Sequence, residues 1–235
     1  MKQGFTKGLI HGIPIALGYL SVSFGFGITA VRAGLSIAAA VGISASNLTS
    51  AGQAAGVEII AAGGTLIEMA LTQLIINLRY SLMGLSLSQK LDDSFTVPHR
   101  MLASFGITDE IFAVASAQPG KIKPWYMYGL ILISFIGWTL GTLLGAAAGQ
   151  ALPPLFTSAM GILLYGMFIA IIIPPSRKSK SIFGAVLIAA AVSLLFKYVL
   201  TGVSVGFAII ISASLAAAVM ALIAPVKDDE EGKEE

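Results

Sequence analysis

Residues 65–91, TLIEMALTQLIINLRYSLMGLSLSQKL, decide the fold. Leu66 to Leu78 and Tyr80 to Ser88 together are long and apolar enough to cross a bilayer, yet Arg79 interrupts the run and Glu68 stands upstream. An ionised side chain near the centre of a spanning helix costs roughly 2.5–3.5 kcal/mol even on lenient insertion scales, so it has to meet protein or water. At about 100° per residue, Glu68, Thr72, Arg79 and Ser86 fall within about 40° of one another and form one polar stripe. Glu68 and Arg79 are about 16 Å apart along such a helix, too far to pair. Arg79 therefore needs an acid from another segment, and Asp109 and Glu110 are the candidates.

The composition agrees with a membrane setting. Of 235 residues, 56% are hydrophobic and 11% charged, where an average soluble domain has about 25% charged; the mean hydropathy is +0.89. The formal charge of +2 hides a split, because the last nine residues, KDDEEGKEE, carry −4 and the body +6. The basic residues lie between apolar segments, where they set orientation, and no nucleic-acid partner is expected. Without cysteine there is no disulfide, thiolate nucleophile or Cys-ligated metal. His11 and His99 are far apart, so neither a metal nor a cofactor is expected. The absence of GxxxxGK[ST] excludes P-loop ATP hydrolysis.

Charge-poor segments run from Leu9 to Val31, Gly34 to Val57, Ile59 to Gln89, Met101 to Gly120, Pro124 to Gln150, Thr157 to Pro175, Ser181 to Leu200 and Thr201 to Val226. The second is mostly Ala, Gly and Ser with Asn47 and Gln53, and the fourth holds Asp109 and Glu110. Both suit re-entrant or broken half-helices, which are tolerated where protein or cavity water satisfies the backbone. The fold class is thus all-α, a polytopic membrane protein of six to eight segments. If both weak segments cross there are eight spans; if both dip in and return there are six, and Lys90 and Arg100 join Lys2, Lys7, Lys121, Lys123, Arg177, Lys178 and Lys180 on the cytoplasmic side. The second arrangement is favoured, with Arg32 misplaced in either. Residues 1–226 make one membrane-embedded domain, residues 227–235 a disordered acidic tail, and both termini are cytoplasmic.

Three further patterns stand out. Gly137, Gly141, Gly145 and Gly149 line one helix face, for close packing within the chain or against a second subunit. Gly42 to Gly56 and Gly106 to Gly120, each fifteen residues, open Gly-Ile-Ser/Thr and close with Gly, as an internal repeat would. Asn47, Thr49, Ser50 and Gln53, with Gly52 and Gly56, suggest an unwound helix end whose freed N–H groups hold a carboxylate. Adjacent Asp109 and Glu110 repel, and one of them holding a proton is the property a proton-coupled carrier uses.

Ala51 to Gln53, Asn77-Leu78-Arg79-Tyr80 followed by LMGLSL, and Thr108-Asp109-Glu110-Ile-Phe-Ala resemble, in that order, the AzlC family of branched-chain amino acid permeases. The resemblance covers nearly all of the chain up to the acidic tail. It implies export of branched-chain amino acids such as valine across the cytoplasmic membrane of a prokaryote, by a secondary carrier working with a small AzlD-like membrane subunit. It implies no enzyme. Asn47, Gly52, Gln53 and Asn77 are the expected substrate-binding residues, and Glu68, Arg79, Asp109 and Glu110 the expected charge network. Two departures are visible: Ala54 stands where the family often has Phe, which bears on pocket shape, and Tyr80 where it often has His, which removes a titratable group. The rival readings are an uncoupled channel or assembly subunit, and an intramembrane hydrolase.

Overall fold

The computed structural model describes residues 2–151, 169 and 172–224. Among these the regular structure is helical, apart from one isolated bridge between Leu91 and Ile122. The helices are α1 Lys2–Arg32, α2 Ile37–Ser46, α3 Ser50–Ala61, α4 Leu66–Ser88, α5 Val97–Phe105, α6 Asp109–Ser116, α7 Pro124–Ala151, α8 Lys180–Tyr198 and α9 Val205–Ile223. Four of them, α1, α7, α8 and α9, are long and apolar enough to cross a membrane. The chain is an all-α membrane protein.

The frame is the pair α1 and α7, which run in the same direction in backbone contact. A Cβ on Gly137, Gly141 or Gly145 would strike the backbone of Ala16, Leu20 or Phe24, and one on Gly8 or Gly27 would strike α7 in turn. Small residues on both helices let the backbones close up, which in lipid substitutes van der Waals contact for the missing hydrophobic drive. The glycine stripe is thus filled from within the chain at 137, 141 and 145. Trp138, Tyr19, Met127 and Leu130 are buried beside this seam.

The two weak segments are both broken hairpins. In the first, α2 and α3 meet at Asn47-Leu48-Thr49. Val57 of α3 and Ala40 of α2 share a cluster with Phe26 and Ala30, near the C-terminal end of α1, so both arms open on that side. In the second, α5 and α6 meet at Gly106-Ile107-Thr108. Its ends are tied to one side, because Asp92 N donates to Ile122 O at 2.8 Å and Ile122 N to Lys90 O at 2.8 Å. The Lys90 ammonium also donates to the Ser116 carbonyl. Lys90, Arg100, Lys121 and Lys123 consequently share one face with the N-terminal ends of α1 and α7, as the six-span arrangement requires.

Between the hairpins, α4 runs the full depth. Its Glu68 end lies against Gly64 and its Leu87 end in the cluster with Phe95, Ile122 and Met127 on the basic face. The continuing face of α4, through Leu71, Leu74, Leu78, Leu82 and Leu85, is exposed. Helices α8 and α9 run antiparallel, with Gly184 against Met220. Most of the expected span Thr157 to Pro175, the loop before it and the acidic tail at 227–235 lie outside the described residues. The Gly42–Gly56 and Gly106–Gly120 match does not superpose the two breaks: Gly106 is at a break, whereas Gly42 is inside α2. The structural correspondence runs instead between Thr49 and Thr108, each the N-cap of the returning arm.

Candidate functional site

Both hairpin tips arrive at mid-depth. Leu48 of the first tip is buried in the cluster that holds Tyr19 and Trp138, near the middles of α1 and α7. Thr108 of the second tip lies 2.5 Å, Oγ1 to Oη, from the same Tyr19. Against them stands the middle of α4, with Asn77 on the first tip and Arg79 on the second.

The first tip is fastened to α4 by a closed ring of hydrogen bonds. Thr49 Oγ1 donates to Asn77 Oδ1 at 2.7 Å. Asn77 Nδ2 donates to Gln73 Oε1 at 3.1 Å, and Gln73 Nε2 to the Gly52 carbonyl at 2.7 Å. Gly52 N then donates to Thr49 Oγ1 at 3.2 Å, as the N-cap bond of α3. Asn47 is held by Gln53, whose Nε2 donates to the Asn47 carbonyl and Oδ1, both at 2.9 Å. Gln53 in turn accepts from Ser44, itself 2.7 Å from Thr142 of α7. The fully buried Ser44, Gln53 and Thr142 make that contact in place of water.

The second tip is fastened by charge. Arg79 Nη1 lies 2.6 Å from Asp109 Oδ2, with both side chains about two-fifths exposed. Arg79 Nη2 also donates to Tyr80 Oη at 3.3 Å, and the guanidinium lies 5.0 Å from the Tyr80 ring centroid. Glu110 does not join this pair. Its Oε2 lies 2.6 Å from Tyr19 Oη, which with one proton donates to the carboxylate and accepts from Thr108.

Glu68 is elsewhere. Its Oε1 accepts from Ser204 Oγ at 2.6 Å and from Gly206 N at 2.7 Å. Ser204, the N-cap of α9, makes no side-chain cap bond of its own, so Glu68 supplies the acceptor that the first turn of α9 needs. The polar residues of α4 share one face of a continuous helix but not one set of partners. Glu68 and Thr72 are buried, with Glu68 bonded to α9, and Ser86 is exposed. Gln73, about 140° round the helix from Glu68, begins the cavity face.

Three cavities follow one another along α4. An outer one of about 240 Å³ is lined by Asn47, Thr49, Gly52, Gln53, Gln73 and Asn77, with Ile43, Val57, Ile60 and Met69 as its apolar part. A middle one of about 190 Å³ shares Asn47, Thr49 and Asn77 with it and adds Tyr80, Phe105 and Ile107. An inner one of about 220 Å³ shares Ser104 and Ile107 with the middle and opens past Leu87, Leu91 and Arg100. The structure thus brings Asn47, Gly52, Gln53 and Asn77 to one cavity, and Arg79 to Asp109, while Glu68 and Glu110 have separate partners. Gln73, Tyr19 and Tyr80 were missed by the sequence reasoning. Gln73 could have been found, since Gln73 and Asn77 are spaced i, i+4 on the α4 face. With walls of neutral amides and aliphatic side chains and volumes below the roughly 300–1,000 Å³ of drug-sized pockets, the outer and middle cavities suit a small, partly apolar solute. Among the described residues no group of His, Cys, Asp and Glu could hold a metal ion.

Comparison with known proteins follows the same outline. The family model described as AzlC protein matches residues 14–152, the stretch that contains both hairpins and their frame. A membrane protein of Archaeoglobus fulgidus is 33% identical over 214 residues, covering 90% of this chain and 91% of its own. Inner membrane protein YgaZ of Escherichia coli is 30% identical over 185 residues, 76% of each chain. The branched-chain amino acid transport protein AzlC of Bacillus subtilis is 25% identical over 189 residues, 77% of this chain and 71% of its own. No solved structure matches.

Proposed function

The chain belongs to the AzlC family of membrane proteins, and from that premise we propose that it is the carrier subunit of a secondary transporter exporting branched-chain amino acids across the cytoplasmic membrane. The observation that carries the reading is the meeting of two opposed hairpin tips at mid-depth beside a cavity of neutral amides. Broken helices whose half-helix ends face a midplane site are how carriers hold a zwitterion without a soluble domain. The printed name of the Bacillus subtilis relative supplies the substrate class.

In this reading Asn47 and the first-turn N–H groups of α3 around Gly52 receive the carboxylate, with Gln53 and Asn77 fixing the tip. Among the described residues the Asn47 Nδ2 donors have no partner. Ile43, Val57, Ile60 and Met69 receive the aliphatic side chain. Asp109 and Glu110 on the opposite tip carry the proton that couples transport, while Arg79 holds that tip in place. Glu68 is committed to α9 and takes no part. The basic face is cytoplasmic, and a small membrane subunit completes the transporter.

The test is efflux from proteoliposomes loaded in turn with each of the twenty amino acids, with and without the partner subunit and an inward proton gradient. Saturable efflux of valine, leucine and isoleucine, accelerated by the gradient, is the expected result. A rate indifferent to the gradient assigns the chain to the uncoupled channels, and no efflux of any of them removes the proposal.

A further inference from the structure

The inner cavity carries a charge that the outer two lack. Its walls are two helix faces of identical spacing, Gly84, Leu87, Ser88 and Leu91 from the end of α4 and Arg100, Ala103, Ser104 and Ile107 from α5 and its tip, closed by Met127 of α7. No Asp, Glu, Lys or Arg lines the outer or middle cavity. In the inner one the single cation is Arg100. Its Nε donates to the Phe95 carbonyl at 3.2 Å, which fixes the stem and leaves both amino groups of the guanidinium for other partners. Among the described residues no acid pairs with Arg100, the ion pairs being Arg79–Asp109 and Lys121–Asp93.

We propose that Arg100 makes this cavity a docking site for the carboxylate of small solutes, on the basic-face side of Ile107. A planar guanidinium with two unoccupied donor arms matches a carboxylate in both charge and geometry. The apolar wall of Leu87, Leu91, Ala103 and Met127 accommodates an aliphatic side chain beside it. Ile107, at the second tip, lines both this cavity and the middle one and separates the docked solute from the middle cavity. The site deepens the transport reading and rests on it for its place in a path, but binding of a carboxylate does not depend on transport.

The cysteine-free chain permits a direct test. Ser88→Cys places one thiol in the cavity wall, and its alkylation is timed with iodoacetate and with its neutral counterpart iodoacetamide on the purified full-length protein. The ratio of the iodoacetate to the iodoacetamide rate should fall roughly tenfold when Arg100→Gln is added, the loss of one charge-assisted interaction, and should be mostly kept by Arg100→Lys. Valine should protect the thiol in the Arg100 protein, and valinamide, which has no carboxylate, should not. Gly84→Leu, at a position where a Cβ meets only Ile107 at 4.0 Å, should slow both reagents alike by filling the cavity. An unchanged ratio in Arg100→Gln, or thiol rates indifferent to Gly84→Leu, overturns the site. Failure of the efflux assay with the rate ratio intact would remove the carrier reading and leave the docking site standing.

Discussion

Separating Arg79 from Asp109 is the most informative perturbation, because that pair alone ties α4 to the second tip by charge. Two unit charges about 4 Å apart attract by ~4 kcal/mol at an effective dielectric of about 20. The side chains are 41% and 39% exposed, and exposed pairs in water are worth about 0.2–1 kcal/mol. A partly exposed pair held between the middle of α4 and the second tip belongs between these limits at about 1–3 kcal/mol, or roughly 5- to 150-fold in an equilibrium. The assay is a double-mutant cycle on transport rate with Arg79→Gln, Asp109→Asn and the pair together. Each single change should cut transport by about tenfold or more, and the double should be no worse than the poorer single, since the interaction is lost only once. Arg79→Lys should retain part of the rate through its charge while losing the fork that also reaches Tyr80. Effects that simply add, or a wild-type rate for Arg79→Gln, would refute the argument that this ion pair positions the tip.

Three further outcomes are expected. Asn47→Asp, which keeps the oxygen that accepts from Gln53 but replaces the amide donor with a charge that repels a carboxylate, should raise the half-saturating substrate concentration about tenfold or more, the loss of one hydrogen bond to a charged group. Gly145→Ala, which forces a methyl into the backbone of Phe24, should cost about 1–3 kcal/mol by overpacking and lower the melting temperature by several degrees. Hydrogen bonds from Ser94, then weaker attraction from Lys123 and Lys121, hold the partly exposed Asp92 carboxyl below the usual carboxylate range. A depressed folded pKa gives stability that is present above the unfolded value of about 3.9 and lost as the pH falls through the lower folded one. Protection of the Asp92 and Ile122 amides against hydrogen exchange, corrected for intrinsic rates, should accordingly be constant from neutrality to mild acid and fall only below that range, and Asp92→Asn should remove the step.

The fold was legible where sequence chemistry is local. The run rich in Ala, Gly and Ser around Asn47, and the acids Asp109 and Glu110 in the apolar run after Gly106, announce breaks because small polar residues weaken a helix and stabilise caps and charges need protein or water. An arginine within an apolar helix announces a partner because it cannot be left alone there. What stayed hidden depends on contacts between distant segments. Glu68, on the same face as Arg79, looks available to its charge network until α9, well over a hundred residues later, is seen to lack a cap acceptor of its own at Ser204. Glu110 looks equivalent to Asp109 until the turn at Thr108 aims one carboxylate at α4 and the other at Tyr19. The supposed repeat followed Gly-Ile identity at 42 and 106, whereas the symmetry resides in capping geometry at Thr49 and Thr108, which glycine spelling does not reveal.

The glycine seam between α1 and α7 restricts how such a protein can move. A packed interface of side chains can ratchet by one turn, but here a one-turn shift would carry Ile133, which shares the face of the glycines, into the place of Gly137 against the main chain of Ala16, so the two helices behave as a single plank. Both hairpins are seated on that plank by apolar clusters, Leu48, Ile111 and Ala115 with Tyr19 and Trp138, and Ala40 and Val57 with Phe26 and Ala146, as well as by hydroxyls and amides. The plank is the fixed frame against which both hairpin tips are set.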